Sequence, residues 1–179
     1  MSLRLPTTYD LLHSLFNLIK LMYKKLIRQK SDVMSNQLIL VVEDNPDHLE
    51  LTVLTLKEHG VTADIVVACD GASALDFLFG QGEHTGRDTK KQPNMVLLDM
   101  RLPKLSGLDV LKSVRANPLT ALVPVIMLTS SSELSDMKAS YQSGANGFVR
   151  KPVDFAAFSD KLNSLQTYWL DVNETVSPD

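Results

Sequence analysis

The stretch Leu97-Leu98-Asp99-Met100-Arg101-Leu102-Pro103-Lys104-Leu105-Ser106-Gly107 decides how this chain is read. It closes an apolar run, Met95 to Leu98, on a single acid, then turns through proline and glycine into a segment with helical spacing. A run that is apolar at every position predicts a strand buried on both faces, because a strand with one wet face alternates polar and apolar residues. Leu38–Val42, Ile65–Ala68, Val125–Leu128 and Gly147–Val149 repeat that pattern. Between these runs, segments 46–58, 71–79, 107–116, 133–143 and 154–167 carry apolar residues three or four apart, as at Leu49, Val53 and Leu56. Strand and helix in alternation predict an α/β fold: a parallel sheet with helices on both faces. Pro46 suits the first turn of its helix, where a missing N–H costs little, and Gly60 marks a stop beyond its end. Pro103 and Gly107 predict a tight turn after Asp99, the glycine accepting backbone angles that other residues avoid. Residues 80–93, glycine-rich and polar without apolar period, predict a long surface loop.

A chain of 179 residues suits one domain with extensions, and 44% hydrophobic with 22% charged residues is ordinary for a globular protein. The lone Cys69 excludes an internal disulfide, and without Cys/His clusters no zinc site is supported, which fits a reducing cytoplasm. The net charge of −3 is unevenly spread. Residues 1–36 carry Arg4, Lys20, Lys24, Lys25, Arg28 and Lys30 against Asp10 and Asp32, so the remainder is strongly acidic. An acidic body without a basic stripe argues against nucleic-acid binding by the main domain, since Lys and Arg supply most of such affinity.

Ligands of open parallel sheets bind at the carboxyl ends of the strands. There the first strand ends in Glu43-Asp44, the third in Asp99, the fourth in Thr129-Ser130, and the fifth leads into Lys151-Pro152. Three carboxylates at one edge would repel each other unless a hard divalent cation sits among them, which points to Mg²⁺. That ion uses few carboxylates, leaving an Asp99 oxygen as a nucleophile while Lys151 and the Thr129 hydroxyl hold phosphoryl oxygens. One aspartate after a strand is by itself a common turn former or helix cap. Capping, however, explains neither the lysine nor the paired acids.

Glu43-Asp44-Asn45, the 97–107 stretch, Met127-Leu-Thr-Ser130 and Lys151-Pro152 together resemble the receiver domains of two-component response regulators, over roughly residues 37–168. The resemblance implies a flavodoxin-like, doubly wound (βα)₅ sheet of strand order 2-1-3-4-5, here with an extra N-terminal helix. It implies Asp99 as phosphoacceptor, with Glu43, Asp44 and Asp99 in the Mg²⁺ site and the Arg101 backbone carbonyl as a further ligand. Thr129 would be the switch hydroxyl, Lys151 the phosphoryl partner, and Pro152 would follow a cis peptide. Phe148 would be the aromatic switch, although a plain core aromatic also fits its position.

Residues 80–93, Pro103-Lys104, Ala116-Asn-Pro118 and Tyr168-Trp-Leu-Asp171 are similar to the stand-alone regulators paired with phytochrome-type histidine kinases. That likeness implies a sensor histidine kinase as partner and a homodimer through the face of the fourth helix, fifth strand and fifth helix. Trp169 then either faces a partner or folds back onto its own domain. Catalysis would be confined to self-phosphorylation and self-dephosphorylation. The rival is a Mg²⁺-dependent aspartyl-phosphate phosphohydrolase, which usually needs a second acid two residues beyond the nucleophile; Arg101 stands there. A nucleotide-binding flavodoxin-like protein would want a glycine- or hydroxyl-rich loop after the first strand, where Glu43-Asp44 would repel phosphate.

Upstream, apolar residues at 12, 15, 16, 19, 22, 23 and 26 form a helical stripe among basic residues. A basic amphipathic helix reads as a regulatory or dimerising element or as a membrane-surface contact by residues 8–28, and is too interrupted by charge to span a bilayer. Met34 offers a third reading, a start codon with a leader before it. The expected organisation is therefore a basic extension over 1–36, a receiver over 37–168 and a tail over 169–179.

Overall fold

The computed structural model describes Met22 and residues 37–58, 63–151 and 154–174. The chain divides into two units, residues 1–36 and 37–179, and the sheet and its helices belong to the second. The expected N-terminal helix, the Gly60 stop and the bond before Pro152 lie outside the described residues.

Five strands, β1 Leu38–Val42, β2 Asp64–Ala68, β3 Met95–Asp99, β4 Val125–Thr129 and β5 Gly147–Arg150, alternate with five helices. The helices are α1 Pro46–Glu58, α2 Gly71–Phe79, α3 Gly107–Ala116, α4 Leu134–Gln142 and α5 Phe155–Gln166. All pairings are parallel, in the order β2-β1-β3-β4-β5. The predicted sheet and strand order hold, and helix boundaries differ from the sequence reading by a residue at most.

Period-two alternation sorts each strand onto two cores. Leu40, Val42, Val96, Leu98, Val125 and Met127 pack with Ala74 and Leu78 of α2 and Val110, Leu111 and Val114 of α3. Ile39, Val41, Met95, Leu97, Ile126 and Leu128 pack with Leu56 of α1 and Phe158 and Leu162 of α5. Helix α4 buries only Ser140.

Helix α5 widens into a π-helical turn over Thr167–Val172. Leu170 joins the α1/α5 core, and Gln37 Nε2 donates to its carbonyl at 2.6 Å. Trp169 packs against the same core, so of its two readings the fold-back one holds; Tyr168, edge-on to it, stays half exposed.

Loop 80–93 is built rather than loose. It holds a 3₁₀ turn at Gly82–His84, the His84 ring edge-on to Phe77, and the Arg87 guanidinium 4.1 Å from the Phe77 centroid. Gln92 Nε2 donates to the Leu78 and Thr89 carbonyls at 2.9 and 2.8 Å.

The turn after Asp99 works differently from the sequence reading. Gly107 has no positive φ; that angle belongs to Lys104, at 65°. Glycine is required at 107 by space, because a Cβ there would meet the Asp99 carbonyl oxygen at 2.2 Å.

Candidate functional site

The sheet register builds the site. Val42 pairs with Leu98, so the next residues, Glu43 and Asp99, leave the sheet side by side. Thr129 pairs with Arg150, so Lys151 emerges beside the end of β4, where its N–H donates to the Thr129 carbonyl at 2.8 Å. The Lys151 ammonium hydrogen-bonds both the Glu43 and Asp99 carboxylates. All three side chains are at least nine-tenths buried. Two buried carboxylates and one ammonium leave a net negative charge, and removing Lys151 would leave both carboxylates buried without a countercharge.

Asp99 is further fixed by the Arg101 N–H, which donates to its second oxygen at 2.6 Å. Both oxygens of Asp99 are thus hydrogen-bonded, where the sequence reading expected one free. Thr129 is buried, and its hydroxyl oxygen accepts the Ser131 N–H at 3.0 Å. Phe148 is half buried against the α2/α3 core; it pairs with Met127, so Met127, Phe148 and Thr129 share one face of the sheet.

Asp44 departs from expectation. It is exposed at the end of β1, and among the described residues no three His, Cys, Asp or Glu side chains gather closely enough to hold a metal. The expected triple-acid cluster is therefore a carboxylate pair bridged by lysine, because the ammonium supplies the countercharge that a cation was invoked to supply. This donor set still fits Mg²⁺. Glu43 and Asp99 converge closely enough for one cation to touch both, and the ion takes one or two carboxylates and completes its shell with water and neutral oxygens.

Sequence reasoning missed three contributors. Asn45 Oδ1 accepts the N–H groups of Asp47 and His48 at 3.0 Å each, capping α1; its place just before Pro46 was a readable cap signal. His48 Nδ1 lies 3.6 Å from Glu43, a contact that no local signal announces. Asp70 caps α2 by accepting the Ser73 N–H at 2.8 Å, and it pairs with Lys104 at 2.6 Å. The Lys104 ammonium holds the Asp70 carboxyl below the usual carboxylate range, while the pairing raises the lysine.

Such an array on such a sheet defines a phosphoryl-accepting signalling module. The family model for the response regulator receiver domain matches residues 39–163, and the chain belongs to that family. Receiver domains are signalling modules that interact with histidine kinases and bind Mg²⁺ at an acidic pocket. Two curated relatives are similar over most of their length. One is a probable methanogenesis regulatory protein, FilR2, of Methanothrix harundinacea, 35% identical over 79% of this chain and 88% of its own. The other is the response regulator Rcp1 of a Synechocystis species, 31% identical over 75% of this chain and 90% of its own. The Mn²⁺-bound structure of Rcp1 superposes with a TM-score of 0.72 at 30% identity, over 79% of this chain and 99% of that one. The phosphorylated cyanobacterial phytochrome response regulator RcpA gives 0.73 at 27% identity, with the same coverage. Among the described residues, no helix is long and apolar enough to cross a membrane.

Proposed function

We propose that Asp99 accepts a phosphoryl group from the phosphohistidine of a sensor kinase. The observation that carries this reading is the buried Glu43–Lys151–Asp99 array at the carboxyl edge of the sheet. An Asp99 oxygen forms a bond to phosphorus as the bond from phosphorus to the donor imidazole nitrogen breaks, the electron pair leaving with that nitrogen. An acyl phosphate results. Lys151 and the Thr129 hydroxyl hold its oxygens, and Glu43 keeps the lysine in place. Glu43, Asp99 and the Arg101 carbonyl would hold Mg²⁺, with the exposed Asp44 reaching it through the ion's water shell, and the ion when bound supplies countercharge to the phosphoryl oxygens. Reaction ends with loss of the phosphoryl group to water, so the chain catalyses only its own phosphorylation and dephosphorylation. A phosphohydrolase acting on a separate substrate is disfavoured because Arg101 stands where a general acid would be needed.

Output runs through Thr129 and Phe148. When the hydroxyl moves to the phosphoryl group it vacates space on the sheet face that it shares with the half-buried ring, and Phe148 turns inward. Beside Phe148, a groove of about 480 Å³ between β5 and α5 is lined by Val149, Leu165 and the exposed Tyr168. This apolar lining supports homodimerisation through the α4/β5/α5 face. Likeness to RcpA supports a phytochrome-type kinase as donor. Residues 37–168 act as the receiver in the cytoplasm, the segment that follows packs back on it through Trp169 and Leu170, and 1–36 is an extension that contacts a partner or, over 8–28, a membrane surface.

The test is intact mass after incubation with Mg²⁺ and acetyl phosphate, comparing wild type with Asp99→Asn. Gain of one phosphoryl group by wild type alone is expected. No gain by wild type, or equal gain by both, would remove Asp99 as the acceptor.

A further inference from the structure

Lys104 carries the one left-handed φ outside glycine among the described residues. Its neighbours close on it: the Leu105 N–H donates to the Pro103 carbonyl at 2.8 Å. A bond from residue i+2 back to residue i around a positive-φ centre makes the rarer, strained form of the γ-turn. A side chain in that region is strained and persists only when its surroundings over-determine it. Here two contacts do so. The Lys104 ammonium reaches Asp70 at 2.6 Å, and the Leu105 carbonyl lies so close to Gly71 that a Cβ there would meet it at 2.5 Å. Both contacts seat the β3–α3 loop on the first turn of α2, and the same loop carries Arg101, whose N–H donates to Asp99.

We propose that the Lys104–Asp70 pair is a latch that holds the β3–α3 loop in its strained turn and thereby positions the Arg101 backbone against Asp99 and any cation beside it. Lys104 and Asp70 are positioning residues, far from the buried triad in chemistry yet setting its geometry. The role in metal binding rests on the reading of Asp99 given above; the latch itself does not. Asp70 has two jobs, cap and ion-pair partner, and asparagine keeps the first while losing the second, since Asn and Asp cap equally well. Lys104→Arg keeps the charge.

Two readouts on the full chain test this. Hydrogen exchange of residues 101–107, measured without metal, reports the latch alone: Asp70→Asn and Lys104→Met should speed it, and Lys104→Arg should not. Mn²⁺ and Mg²⁺ affinity, measured by calorimetry, reports the positioning: the first two variants should bind more weakly, by no more than about fivefold, the most an exposed pair can transmit, with melting temperature little changed. Unaltered exchange in both neutralised variants overturns the latch, and faster exchange with unchanged metal affinity overturns its positioning role. Failure of wild type to bind either metal or take up a phosphoryl group strikes the reading of Asp99 instead, and the exchange data still decide the latch.

Discussion

Strand β3, which ends in Asp99, has all five residues buried, whereas β5, which carries Phe148, has none fully buried. The helices beside them repeat the contrast: α3 buries Gly107, Val110, Leu111 and Val114, while α4 buries only Ser140. Acids at the sheet edge must be held in a fixed relation if one lysine is to bridge two carboxylates, and a close-packed strand supplies that rigidity. A relay must instead have somewhere to go, and few buried contacts give low local stability. The proposed phosphoacceptor thus ends a fully buried strand, whereas the proposed aromatic relay lies on a strand with no fully buried residue.

That contrast can be broken first by truncation. Leu98→Ala, in a fully buried site, should cost roughly 2–5 kcal/mol, whereas Leu134→Ala, on the exposed first turn of α4, should cost no more than about 0.5 kcal/mol. Urea unfolding measures both, and equal losses would erase the distinction. Gly107→Ala sharpens it at a single atom: the added methyl meets the Asp99 carbonyl oxygen, so a loss of about 1–3 kcal/mol is expected together with slower phosphoryl uptake. Phe148→Ala should cost less than Phe158→Ala, because the first ring is half buried and the second 4% exposed. It should leave uptake at Asp99 intact while abolishing any phosphorylation-dependent dimer seen by light scattering.

The smallest effect concerns acid. Asp70 is held below its unfolded value by Lys104, so its stabilisation is complete above the ordinary carboxylate range and fades as pH falls through the depressed folded value. The pair is exposed and screened by salt. Exchange at the first turn of α2 should therefore rise only in strong acid, and Asp70→Asn should remove that pH dependence.

The fold was legible because runs such as Met95–Leu98 and Val125–Leu128 are apolar at every position, which only a doubly covered strand requires. Glu43, Asp99, Thr129 and Lys151 were legible because a parallel sheet delivers every strand end to one edge. What could not be read depends on tertiary neighbours. Nothing local asks a lysine to take φ 65°, and Lys104 finds Asp70 34 residues away. Gly107 was noticed for the wrong reason, since its need for space exists only once Asp99 lies against it. Loop 80–93 was read as a surface loop with nothing said of its order, because that order comes from individual clamps, Arg87 on Phe77 and Gln92 on Leu78, which leave no periodic trace. Lys151 was placed correctly, but its bridging of the acids was not foreseen, because a metal was assigned the whole of the countercharge.

The most direct test is hydrogen exchange by mass spectrometry with and without acetyl phosphate and Mg²⁺, on wild type and Asp99→Asn. Phosphorylation of wild type should change exchange in residues 129–150 while 95–98 stay protected, and Asp99→Asn should show neither uptake nor change. Uptake with no change in 129–150, or the same change in the variant, would contradict the account.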